Sequence, residues 1–298
     1  MVADGSSDRL EGGAPGDSPS PHRGELGSQA VITGTDNRLM AVLPYAVTIF
    51  TSAFLLFQVQ PLIAKYILPW FGGGPTVWTT CILFFQVLLL GGYAYAHFIT
   101  RRLNSRAQLM VHGVLLLTAL LQLPITPDVD WKPLSSDGPT WHILLLLSVS
   151  IGIPYFVLSS TNPLLQAWFS QIHPGVSPYR LYALSNTGSL LALLSYPFLF
   201  EPMLSRGAQS TFWTAGFGIF AAATLTCIFA GWRNVRFGSR QGVTPAHLDA
   251  ASTYPPLLIR ILWLLLPACA AVLLLAVTNQ ITMDFVVVPF LWVLPLSI

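Results

Sequence analysis

FLLFQVQPLIAKYILPWFGGGPTVWTTCILFFQVLLLGGYAYAH, residues 54–97, decides the fold class. Two apolar runs, each long enough to cross a bilayer, are joined by a tight Leu-Pro-Trp-Phe-Gly-Gly-Gly-Pro turn, and the first carries Gln58, Gln60, Pro61 and Lys65 near its exit. A lipid-facing backbone must satisfy its own hydrogen bonds, so a proline and two amides in such a run need protein or water around them. The stretch reads as a helical hairpin inside a multi-helix membrane protein.

Composition points the same way. Hydrophobic residues make up 53% of the 298 and charged residues only 9%, against about 25% charged in soluble domains; the mean hydropathy is +0.64. A net charge of +2 gives no ground for a nucleic-acid partner. Cys81, Cys227 and Cys269 lie in apolar runs without metal-type spacing and read as small buried residues. His97, His112 and His142 are dispersed near span ends and suggest no metal site, and no cofactor is expected in this chain.

Residues 1–38, rich in Gly, Ser, Pro and Asp and without a signal-peptide core, read as a disordered tail. The first span, about 40–68, then acts as an uncleaved signal-anchor. Further spans follow at about 77–98, 107–123, from 141 onward through Pro154, 182–200, 211–231 and 257–277, with an eighth beginning near Phe285. The expected fold is all-α, a polytopic bundle of seven to eight transmembrane helices with a transporter-like arrangement. Its parts are a six-helix unit at 39–231, a cytoplasmic linker at 232–256 and the start of a second membrane unit at 257–298. That last run is uncharged and about 21 Å long as a helix, short of a core of about 30 Å, so the reading expects a chain truncated at its C-terminus.

Lysine and arginine set the orientation. With a cytoplasmic N-terminus that side receives Arg38, Arg101, Arg102, Arg106, Arg180, Arg233, Arg236, Arg240 and Arg260, and the other only Lys65, Lys132 and Arg206. The positive-inside rule therefore predicts an inner-membrane protein with its N-terminus inside. The stretches 59–75 and 161–178 each place an amide before a proline and a Gly/Pro turn before the next span. From this pattern Pro61 and Pro163 are expected to break their helices, as an inverted repeat of three-helix units would require.

Four motifs carry a family resemblance: FQVQPLIAKYILPWFGGGPTVWTTCILFFQVLLLGGYAYAH, LSSTNPLLQAWF, PYRLYALSNTGSLLALLSYPFLFEP and VVPFLWVLPL. Together they resemble, over about residues 39–298, the membrane part of the bacterial fused major-facilitator/spermidine synthase proteins. The resemblance implies a transporter-like helical domain preceding a cytosolic domain similar to an aminopropyltransferase. That catalytic domain has no counterpart here: Gly72-Gly73-Gly74 runs into Pro75-Thr76 between spans, and no phosphate-binding or nucleophile motif is present. No catalytic residue is assigned.

The candidate substrate or pathway residues are Gln58, Gln60, Lys65, Asn162, Asn186, Glu201 and Asp284. Each has a plainer reading. Lys65 lies far enough along its helix to snorkel to the headgroups; Gln58, one heptad earlier, shares its face. Glu201 and Asp284 sit at outer span ends, where a carboxylate is ordinarily solvated, or else forms the acidic mouth of a cavity attractive to a cation. Asn186, among Ser185, Gly188 and Ser189, suits interhelical hydrogen bonding or ligand contact. The expected function is a transporter-like domain handling a polyamine or similar small cation. The alternative is a non-transporting membrane scaffold for a cytosolic synthase domain or subunit.

Overall fold

The computed structural model describes residues 23–72, 74–127, 131–132, 139–172, 179–238 and 256–284. The chain divides into two compact units, Met1–Val42 and Leu43–Ile298, and the helical bundle is the second. Its elements are α1 (Arg23–Phe71), α2 (Pro75–Arg102), α3 (Ser105–Leu121), α4 (Pro139–Leu147), a π-helical turn (Ser148–Gly152), α5 (Ile153–Ile172), α6 (Tyr179–Ser195), a second π turn (Tyr196–Phe200), α7 (Glu201–Met203), α8 (Arg206–Gly238) and α9 (Leu257–Asp284). No strand occurs among the described residues.

Six segments are long and apolar enough to cross a membrane: Val42–Phe71, Thr76–Arg102, Pro139–Ile172, Tyr179–Met203, Arg206–Arg233 and Leu257–Val277. Ser105–Leu121 is shorter, about 26 Å at about 1.5 Å per residue. The chain is thus a membrane-type helical bundle with six such helices among the described residues; the expected eighth span, from Phe285, lies outside them.

The hairpin forms as its residues dictate. Gly72 takes φ +80 and donates its N–H to the Leu68 carbonyl at 3.0 Å, the left-handed closure that only glycine adopts freely. Pro75 occupies the first turn of α2, where a missing N–H costs nothing, and Arg101 and Arg102 sit in its last turn, against the negative end of the helix dipole. Asn104 then caps α3 by accepting from the Ala107 N–H at 2.9 Å.

α1 is the central post. Leu55, Val59, Leu62, Ile63 and Ile67, at helical spacing, are all buried, and they share one core with Phe85 of α2, Leu147 of α4, Tyr155 of α5 and Phe217 of α8. Polar contacts fix the neighbours: the Trp213 indole N–H donates to the Leu55 carbonyl at 3.0 Å, and the Ser52 hydroxyl to the Leu158 carbonyl at 3.0 Å.

Three expectations need correction. Pro61 and Pro163 do not break their helices: α1 and α5 run through both. Pro61 and its neighbours Leu62 and Ile63 are buried in the bundle centre, and packing there overrides the local preference against helix before a proline. At Pro163 the neighbouring Leu164 and Leu165 are likewise buried, so packing again carries the helix through the proline. The inverted repeat, argued from those breaks, gains no support at these positions. The departures from α geometry lie instead in the two π turns. Second, residues 23–38, expected as disordered tail, are helical as part of α1, because a nucleated helix extends at little cost; residues 1–22 lie outside the described set. Third, α8 continues to Gly238, so the beginning of the expected linker is helical and the remainder, 239–255, is outside the described residues.

Candidate functional site

The residues singled out from sequence fall into separate places. At the end of the bundle that carries the α1–α2 turn, the Lys65 Nζ lies 3.1 Å from Glu201 Oε1, with the two side chains 20% and 25% exposed. Lys65 also sits 5.8 Å above the Tyr196 ring, and the Arg206 guanidinium 5.6 Å above Tyr66. The Tyr196 hydroxyl donates to Gln209 Oε1 at 3.2 Å, while Gln209 Nε2 donates to the carbonyls of Phe200 at 3.1 Å and Leu204 at 2.9 Å. Neither plain snorkelling of Lys65 nor a free acidic mouth at Glu201 describes this cluster, because each charge is held by the other. Asp284 closes α9, and its side chain lies outside the described set.

Gln60 and Gln58 are both buried in α1. Gln60 Nε2 donates to the Tyr155 hydroxyl at 3.3 Å, which ties α1 to α5, whereas Gln58 Oε1 is buried without a hydrogen-bond partner. His112, expected near a span end, is fully buried: its Nε2 is 3.2 Å from Thr161 Oγ1, and its ring stands edge-on to Trp168 at 6.0 Å. Among the described residues no three potential metal ligands cluster.

Asn162 and Asn186 come together. They line a cleft between α2 and α6, floored by α1 and α5, made of two adjoining cavities of about 490 and 480 Å³ that share Tyr93, Asn162, Ser185 and Asn186. Two glycines hold the walls in place. A Cβ on Gly92 would collide with Ser159 Oγ and lie 3.0 Å from the Ser160 backbone nitrogen, so α2 presses directly on α5; one on Gly188 would lie 2.8 Å from the Phe50 carbonyl, so α6 presses on α1. The space left between α2 and α6 is the cleft.

Its polar groups are only partly engaged. Asn162 Nδ2 donates to Ser185 Oγ at 3.1 Å, but Asn162 Oδ1 is buried with no partner. The side chains of Tyr93, Gln166 and Asn186 make no hydrogen bond among the described residues. Measured along their helices at about 1.5 Å per residue, Tyr93, Asn162 and Asn186 lie about 14, 15 and 10 Å from the helix ends at Arg102, Ile172 and Tyr179, within the apolar spans rather than at their termini.

No protein-family model, curated protein or solved structure matches the chain. What the cleft can hold follows from its geometry. Amides and hydroxyls without partners at that depth are suited to grip a hydrogen-bonding molecule. No aspartate, glutamate, lysine or arginine is among the described residues of the lining, and no nucleophile is paired with a base there. Sequence reading found the two asparagines but missed Tyr93 and Gln166; their signal was a polar side chain inside an otherwise apolar helix, in GGYAYAH and LLQAWF. It also missed Gln209 and Tyr196, whose roles depend on which helices meet.

Proposed function

We propose that this chain is a membrane-embedded small-molecule-binding unit of the transporter type, with its substrate held in the cleft between α2 and α6. The observation that carries this reading is the buried, unpartnered Asn162 oxygen beside the unbonded side chains of Tyr93 and Asn186 in a cleft inside the apolar spans. Leaving the buried Asn162 oxygen bare costs on the order of 1–3 kcal/mol, and a bound polar molecule removes that cost. A polyamine suits the cleft poorly, since its lining offers no carboxylate among the described residues and Glu201 is already held by Lys65. With the N-terminus inside, Arg101, Arg102, Arg106 and Arg180 mark the cytoplasmic end of the bundle.

The scaffold reading has one observation in its favour. The Leu257–Val277 segment of α9 has no buried share, so an apolar helix stands available to lipid or to further helices. The transporter-type reading is tested by native mass spectrometry of the full chain released from membranes. It expects a retained small-molecule adduct that is lost in Asn162→Leu and Asn186→Leu; retention unchanged in both variants would sink it.

A further inference from the structure

We infer that the cleft takes an amphiphile from the lipid phase, with an uncharged hydrogen-bonding head and an apolar chain, and that this molecule enters sideways between α2 and α6. The inference rests on reading the cleft as a binding site, and it adds the class of ligand and its route.

The walls show where the mouth lies. On α2 Leu90 is 70% exposed, and on α6 Leu190, Leu191 and Leu194 are each more than 40% exposed. Apolar side chains at mid-span, turned away from the bundle, face hydrocarbon. Leu190 and Tyr93 both line the cavity and are about half exposed, which puts them on the rim, so the rim opens onto lipid rather than water.

The lining is sorted by depth. Beside the shared asparagines, the inner cavity has Leu89, Leu190 and Leu193 with Ser159 and Ser189, whose hydroxyls already donate to backbone carbonyls, and the adjoining one adds His97, Thr100 and Gln166. Along α2, Thr100 and His97 are about 3 and 8 Å from the helix end at Arg102, and Leu89 about 20 Å. The polar side chains that no carbonyl takes up, those of Tyr93, Asn162 and Asn186, thus lie nearer the Arg102 end than Leu89, Leu190 and Leu193 do, the order of head and chain in one leaflet of lipid. A molecule already oriented in that leaflet slides in without turning over.

The head is uncharged because no aspartate, glutamate, lysine or arginine lines either cavity to compensate a charge, and His97, the one imidazole of the lining, stands toward the Arg102 end, away from the asparagines. Arg101, Arg102 and Arg180 stand at the same end of the bundle but line neither cavity. What is offered is the Asn162 carbonyl oxygen, the whole amide of Asn186 and the Tyr93 hydroxyl, a match for hydroxyl, ester or amide groups.

The test uses the full chain in phosphatidylcholine vesicles carrying either a diazirine-tailed monoacylglycerol or a diazirine-tailed phosphatidic acid, with cross-links mapped by peptide mass spectrometry. The expected result is labelling by the neutral probe at Leu89, Leu190 or Leu193, with little from the anionic one. Labelling should fall several-fold in Asn186→Leu and in Leu190→Trp, a half-exposed position where added bulk blocks the apolar end and spares the core. Equal or stronger labelling by the anionic probe overturns the uncharged head, and labelling indifferent to both variants reduces the contact to ordinary lipid around the protein. In parallel, Asn186→Cys in a Cys269→Ser background is exposed to a membrane-impermeant thiosulfonate. If that reagent reacts while neither lipid probe labels, the cleft is an aqueous site: this inference falls and the proposed function stands. If neither lipid nor thiol reagent reaches the cleft, both fall.

Discussion

At the end of the bundle near the α1–α2 turn, Lys65, Glu201, Tyr196 and Gln209 engage one another, whereas in the cleft the side chains of Tyr93, Gln166 and Asn186 make no hydrogen bond to a described residue. The two regions draw on the same stock of tyrosines and side-chain amides, and both are lined by residues of α1 and of the Tyr179–Met203 span. They differ in whether the helices close on them. Around Gln209 the chain turns from α7 into α8 and brings donors and carbonyls within 3.2 Å of one another. At the cleft, contacts at Gly92 and Gly188 pull each wall toward a different floor helix and leave the middle open. A polar residue in a membrane helix is therefore structural or functional according to the packing around it, and residue type alone does not tell which.

The comparison can be broken by substitution, beginning with the walls. Gly92→Val should be the most damaging change, since its side chain meets Ser159 and the Ser160 backbone; overpacking of this kind costs about 3 kcal/mol or more against backbone. It should appear as loss of the monodisperse peak in detergent chromatography. Gln209→Leu removes a side chain that satisfies three partners, and a loss of about 2–3 kcal/mol is expected in denaturant titration, as for a buried network left open. Glu201→Gln should cost about 1–2 kcal/mol by leaving the Lys65 ammonium without its counter-charge, and pairing it with Lys65→Met should recover part of that loss. Recovery near zero would show the pair to be incidental. Asn186→Leu should move stability by no more than about 0.5 kcal/mol in either direction, as at a surface position, while abolishing the bound adduct. A large destabilisation there would place Asn186 with the structural amides and erase the contrast between the two regions.

Much of the fold was legible in the sequence because hydrophobic length is a one-dimensional property: the hairpin at 54–97 and the spans after it are where the apolar runs put them. The π turns were not legible. Pro154 and Pro197 advertise an irregularity, but its position depends on which carbonyls find donors from other helices. The prolines misled for the same reason, since packing around Pro61 outweighed its local preference. Of the site, Asn162 and Asn186 were visible as amides out of place, and their meeting across α5 and α6 was not. Lys65 and Glu201 were named separately; that they pair depends on α1 lying beside the fifth span, which no local pattern encodes.

The two π turns share a further property. Each has a carbonyl taken up by a glutamine from elsewhere in the fold: Val149 by the Gln122 amide, and Phe200 by Gln209. A π turn carries one residue more than the α turn it replaces, and one residue of α-helix corresponds to about 100° of rotation. The second turn therefore acts as a phase shifter within the fifth span. Upstream, Asn186 is indexed to the cleft; downstream, Glu201 is indexed to Lys65. Taking a single residue out of 196–200 would swing the carboxylate about a quarter of the way round the helix without moving the asparagine. The two faces of one helix are thus set by separate angular registers, and a glutamine pins the joint between them.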